Sequence, residues 1–113
     1  MKKCNSWKIM WIIVAFDLPT HTKEERRRYT VYRKDLLSNG FTMMQYSLYT
    51  KCVPTMKSAK AMANKIGPLT PPGGESRIFY ITDKQFGEMK TFFGAIKQPK
   101  ENEPPKYEQL MLF

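Results

Sequence analysis

Residues 9–22 read IMWIIVAFDLPTHT, an apolar run of strand-forming residues that stops at one carboxylate, Asp17, and turns through Pro19 toward Thr22. A nearly continuous apolar run of this length is the pattern of a central strand covered on both faces, here Trp7 to Phe16. Pro19 cannot donate to a strand ladder and ends it. Thr22 stands three residues before Glu25, a capping-box spacing that predicts a helix start. The helix is expected to run to Leu37, with Tyr29, Tyr32 and Leu36 on one face and Asn39-Gly40 as its stop. A buried strand thus delivers a single acid to its tip, just ahead of an arginine-rich helix. That arrangement suits a phosphate- or metal-handling site.

Working outward, Phe41 to Val53 (FTMMQYSLYTKCV) is strand-forming, and its alternation changes phase between Met43 and Met44. Either a bulge or a tight turn between two short strands produces such a change. Pro54-Thr55 opens a second helix, Met56 to Ile66, which buries Ala59, Met62, Ala63 and Ile66 and ends at Gly67-Pro68. LTPPGGES is a loop, Arg77 to Thr82 a strand, Asp83 to Met89 a helical turn, and Thr91 to Ile96 a last core strand. The order predicts an α+β fold, a ferredoxin-like βαββαβ sandwich with additional C-terminal strands. The ferredoxin-like domain is expected over residues 1–97. Three prolines among charges make residues 98–106 an extended linker. YEQLMLF, residues 107–113, is too apolar for a solubility tail and reads as a docking strand through Tyr107, Leu110, Leu112 and Phe113.

At 113 residues the chain has material for one core. It carries 19 Lys+Arg against 10 Asp+Glu, a net charge of +9 spread through the folded part and not gathered in a tail. Such a surface points to a polyanion, and to nucleic acid above a membrane, because the basic helix needs its apolar face for the core. No stretch reaches the ~20 apolar residues of a membrane span. The apolar run after Lys2-Lys3 lacks a small-residue cleavage site, so the expected location is cytoplasmic. Cys4 and Cys52 have no zinc-type spacing, and no phosphate-binding glycine loop or dinucleotide fingerprint is present.

Asp17 carries two readings. An aspartate before Leu-Pro forms an Asx-type turn; alternatively it is a hard-metal ligand and the catalytic carboxylate. One carboxylate holds Mg²⁺ only with waters, phosphate oxygens or a second acid, which a two-fold dimer would supply. The first helix holds Arg26, Arg27, Arg28, Arg33 and Lys34. Arg26 with Arg33, and Arg27 with Lys34, form two lines along the helix that read as a phosphate rail or as a solvated face paired with Glu24, Glu25 and Asp35. Lys51, Lys57, Lys60, Lys65 and Arg77 extend the basic surface. His21 reads as a solvated loop residue, and Ser47 lacks a nucleophile's context.

Several segments together carry a resemblance: F-D-L-P-T-x-T at Phe16 to Thr22, R-R-x-Y and R-K-x-L-L within Arg26 to Leu37, G-F-x-M at Gly40 to Met43 and Q-Y-S-L-Y at Gln45 to Tyr49. I-T-D-K-Q-F at Ile81 to Phe86 and Q-L-x-L-F at Gln109 to Phe113 join them. In this combination and order the chain resembles the CRISPR-associated protein 2 family, in the form found beside a single large effector nuclease. The resemblance implies a homodimer that bridges dimers of the CRISPR-associated integrase, holds a double-stranded DNA segment by its backbone and serves spacer acquisition. It also implies an alternative, a metal-dependent endonuclease on RNA or DNA, including a stand-alone ribonuclease resembling a toxin, with Mg²⁺ bound by Asp17 at the dimer axis. The helix-one cations would touch the duplex and the C-terminal segment would dock on a sheet edge. Phe16 departs from the tyrosine that many members carry there.

Overall fold

The computed structural model describes residues 9–95. Its centre is β1 (Met10–Asp17), flanked by antiparallel neighbours on both sides, β3 (Leu48–Val53) and β4 (Glu75–Thr82). A fourth strand, β2 (Thr42–Gln45), pairs with β3, giving the sheet order β2-β3-β1-β4. Helices α1 (Lys23–Ser38) and α2 (Met56–Ile66) connect the strands, and a 3₁₀ turn at Gly67–Leu69 follows α2. This is the split βαβ arrangement of the ferredoxin-like sandwich.

The even positions of β1 account for the core. Ile12, Val14 and Phe16 pack with Tyr32 and Leu36 of α1, Ala59 and Ile66 of α2, and Tyr49 and Val53 of β3. Both helices therefore cover one face of the sheet. Full burial of groups such as Ile12 or Leu36 stabilises the fold by about 1.5–3 kcal/mol each. Phe16 is ringed by aromatics, with Tyr32 edge-on at 5.2 Å and Tyr29 and Tyr49 beyond it. The Tyr32 hydroxyl is buried and has no hydrogen-bond partner among the described residues.

The opposite face carries Trp11, Ile13 and Ala15, and among the described residues α3 (Asp83–Gly87) packs against its Trp11 end. Phe86 stacks on Trp11 at 3.7 Å between ring centroids, and the Trp11 indole N–H donates to Asp83 Oδ1 at 2.7 Å. The Asp83 amide donates to the Ile9 carbonyl. These contacts hold α3 across the entrance of β1.

Most expected elements are present. The phase change in Phe41 to Val53 is both things at once: the register shifts between Met43 and Gln45, and a turn at Tyr46-Ser47 separates β2 from β3. The last core strand is a correction. Residues 91–95 have no regular structure, and Phe92 and Phe93 are 86% and 91% exposed. The apolar run reads as core, but residues 91–95 leave α3 without joining the sheet, and nothing among the described residues covers Phe92 or Phe93. The linker 98–106 and the docking residues Tyr107, Leu110, Leu112 and Phe113 lie outside the described residues.

At the start of α1 the capping box forms as the spacing predicts. Thr22 Oγ1 accepts from the Glu25 amide at 3.0 Å, and Glu25 Oε1 accepts from the amides of Thr22 at 2.9 Å and His21 at 3.0 Å. The Thr22 and His21 amides hold the Glu25 carboxyl below its ordinary value, the Thr22 amide most strongly. Two consequences are testable. Thr22→Ala lowers unfolding stability by about 1 kcal/mol in chemical denaturation. Because the folded-state value of Glu25 is depressed, its contribution is present above the ordinary glutamate range and is lost as pH falls through the folded value. Hydrogen exchange should show the Thr22 and His21 amides losing protection on acidification, and Glu25→Gln should blunt that dependence.

Candidate nucleic-acid and metal site

Asp17 is the last residue of β1. Strand alternation turns its side chain to the helix-free face, away from Phe16, and it is exposed. Three contacts fix this strand end. The Phe16 amide donates to the Ser47 carbonyl at 3.0 Å, tying in the β2–β3 turn. The Tyr29 hydroxyl donates to the Tyr46 carbonyl at 3.0 Å, joining that turn to α1. Burial raises the Tyr29 phenol above its usual value. On the other side, Gly73 at φ +80° and Gly74 close the turn into β4. A Cβ on Gly74 would run into the Leu18 side chain and stand 3.3 Å from the Pro71 carbonyl and 3.5 Å from the Asp17 carbonyl, so a larger residue here would have to displace Leu18.

Glu75 is the direct partner of Asp17 across the β1–β4 ladder and shares its face. Its carboxylate is engaged, however, accepting from Arg77 Nε at 2.6 Å. Among the described residues no group of three or more His, Cys, Asp or Glu side chains is placed to hold a metal ion. Mg²⁺ is commonly held by one or two carboxylates together with waters and phosphate oxygens. Asp17 fits as one ligand of such a site, and the described residues of one chain do not complete it. His21 gives its amide to Glu25 and its carbonyl to Arg26, and Ser47 gives a carbonyl to Phe16.

The cations on α1 are exposed but largely engaged. Arg27 pairs with Glu24, and Arg28 Nε lies 3.4 Å from the same carboxylate. The two guanidiniums, Arg27 first, hold the Glu24 carboxyl below its ordinary value. Arg26 donates to the Thr20 and His21 carbonyls, bracing the loop after Asp17. Arg33 Nε donates to the Tyr49 hydroxyl at 2.9 Å. Lys34 is exposed and has no polar partner among the described residues. Exposed ion pairs of the Arg27–Glu24 kind contribute little and exchange readily for another anion.

The other two expected contacts, Lys51 and Arg77, lie on strands. The Lys51 ammonium donates to the Asn39 carbonyl at 2.6 Å and so closes the C-terminus of α1. Burial, and after it the charge of Lys65, push the Lys51 amine below its usual value. Arg77 lies opposite Ala15 on the helix-free face, the face of Asp17. The sequence by itself brings neither Glu75 nor Gly74 to the site. Glu75 emerges only from the β1–β4 register, whereas the Gly73-Gly74 pair is a visible turn signal.

The sequence profile of the family described as CRISPR associated protein Cas2 matches residues 10–89. A CRISPR-associated endoribonuclease Cas2 from Parvibaculum lavamentivorans is 44% identical over 104 residues, 92% of this chain and all of that one. Its counterpart from Flavobacterium psychrophilum is 40% identical over 111 residues, 98% of this chain and 94% of the relative. In fold, the chain is similar to the crystal structure of Streptococcus pyogenes Cas2, with a TM-score of 0.56 at 17% identity, over 74% of this chain and 99% of that one. Profile and relatives span β1 through α3, the elements that carry Asp17 and the basic helices, and this chain belongs to the CRISPR-associated Cas2 family.

Proposed function

We propose that the chain acts as a homodimeric, metal-dependent endoribonuclease with Asp17 as its catalytic carboxylate. The observation that carries this reading is Asp17 itself, an exposed acid held rigidly at the end of a central strand, on the sheet face that the helices leave free. The relatives' name, CRISPR-associated endoribonuclease, supports the reaction class. The described residues of one chain offer too few ligands for a metal, so the reading includes a two-fold dimer in which a second Asp17 completes the set.

Within that dimer the roles follow from the chain's own groups. Asp17 orients the ion and the phosphate it meets, and Gly74 with the Ser47 carbonyl keeps the strand end in place. Mg²⁺, when bound, supplies positive charge against the phosphate oxygens as the phosphodiester bond breaks. Phe16 has no part in the chemistry. Its ring lies in the core with Tyr29, Tyr32 and Tyr49, on the opposite side of the strand from the carboxylate.

A second reading is favoured by one further observation. The cations of α1 and α2 stand on the helical layer, on the other side of the sheet from Asp17. A duplex laid on that layer would be held by its backbone without meeting the carboxylate, as the adaptation role of the family requires. In that role the dimer bridges integrase dimers around double-stranded DNA.

One variant separates the two. With Mg²⁺ and a labelled single-stranded RNA, Asp17→Asn should lose cleavage by more than the roughly 10–100-fold that removing a supporting partner of a metal ligand costs. Binding of a DNA duplex and of the integrase encoded beside this chain should stay unchanged. Unaltered cleavage by the variant removes Asp17 from the reaction. An absence of cleavage by the natural protein, with a stable integrase complex, leaves the scaffold reading.

A further inference from the structure

We infer that Tyr46 is a substrate-binding residue beside Asp17, whose ring stacks on an unpaired base of single-stranded RNA. This rests on the endoribonuclease reading above and names the form of substrate that its site takes.

The two tyrosines of Q-Y-S-L-Y part company in the fold. Tyr49 is buried in the core, and its hydroxyl accepts from Arg33. Tyr46 is 69% exposed, in the turn that joins β2 to β3. Single apolar groups stand in water on any soluble domain, so exposure alone assigns nothing. The position of this residue does. The β1–β3 ladder runs as far as Ala15 and Leu48, and the Phe16 amide carries it one step on by donating to the Ser47 carbonyl at 3.0 Å. One further step in the same register brings Tyr46 alongside Asp17. The acid thus stands at the strand end between Tyr46 on one side and Glu75, its partner in β4, on the other.

The turn is also held firmly, as a stacking platform requires. Tyr46 and Ser47 are the two residues between Gln45 and Leu48, which pair with each other across β2 and β3. The Tyr46 carbonyl accepts from the Tyr29 hydroxyl of α1, and the Ser47 carbonyl from Phe16. Both bonds use main-chain oxygens of the turn, so they fix it without the Tyr46 side chain. Among the described residues that side chain has no hydrogen bond and no aromatic contact of its own. Phe92 and Phe93 are more exposed, but they lie in a segment without regular structure.

Every base has a π-face, so an aromatic ring stacks on a single strand with little regard to sequence. Inside a duplex that face is covered by the neighbouring bases, and the ring selects an unpaired nucleotide. With a base on Tyr46, the adjoining phosphate of the same strand is brought to Asp17. The cations elsewhere on the chain recognise phosphate by charge; Tyr46 distinguishes a single strand from a duplex.

The test uses a short single-stranded RNA carrying one 2-aminopurine, whose fluorescence is quenched by stacking, with Mg²⁺ withheld so that binding is read apart from cleavage. The natural protein should quench the probe on binding. Tyr46→Ala, which keeps both main-chain bonds of the turn, should abolish the quench and weaken binding about 5- to 100-fold. Tyr46→Phe keeps the ring and should restore both. A fully paired RNA should bind the natural protein and Tyr46→Ala equally. An alanine variant with the natural quench and affinity overturns the inference, and if Asp17→Asn still abolishes cleavage with Mg²⁺, the endoribonuclease reading survives it. Loss of the natural protein's dimer in Tyr46→Ala, seen by sedimentation, also overturns it, because the ring then serves contact between copies. A quench that depends on Tyr46 beside cleavage that ignores Asp17→Asn leaves the inference standing and removes the assigned catalytic role.

Discussion

The structure depends on the alternation of β1. Successive residues of the strand face opposite ways, which sends Ile12, Val14 and Phe16 under the helices and Trp11, Ile13, Ala15 and Asp17 to the other side. A one-residue slip would bury the acid and expose the core, so the hydrophobic face that stabilises the domain also fixes where the carboxylate points. Everything near Asp17 serves that phase. The Ser47 carbonyl and the Tyr29 hydroxyl tie the β2–β3 turn to the strand end, and Gly74 lets β4 close on it.

The result is a molecule with two unlike sides. The helical layer is basic, exposed and made of groups that recognise phosphate by charge. The free sheet face is partly apolar, with Phe79 46% exposed opposite Ile13 on the same face as Asp17, and Phe92 and Phe93 open beyond α3. An exposed ring on the face that carries a lone acid is what a second copy would cover. Dimerisation and metal binding would then be a single event.

Much of this is legible in the residues. The apolar run ending at Asp17, the Thr22–Glu25 spacing and the Asn39-Gly40 stop determine β1 and α1, because each is a local rule with a local cause. The phase change at Met43-Met44 is legible as a feature but not as a choice, since a bulge and a turn leave the same mark. The capping boxes at Thr55–Ser58 and Thr82–Gln85 follow a weaker pattern than the acidic one. Long-range facts are hidden. Nothing in the spacing of Lys51 shows that it closes the end of α1 twelve residues away. Nor do residues 91–95 reveal that they leave α3 without joining the sheet. Apolar character specifies a need for cover, and the register of the whole sheet decides where the cover is.

In the proposed dimer the free sheet face closes on a second copy and brings two Asp17 carboxylates together. Sedimentation equilibrium of the full chain, at the dilution used for RNA cleavage with Mg²⁺, tests it most directly. The predicted result is a species of twice the 13.3 kDa chain mass. A single-chain mass with cleavage intact would contradict it, because one Asp17 would then be doing what is here assigned to two.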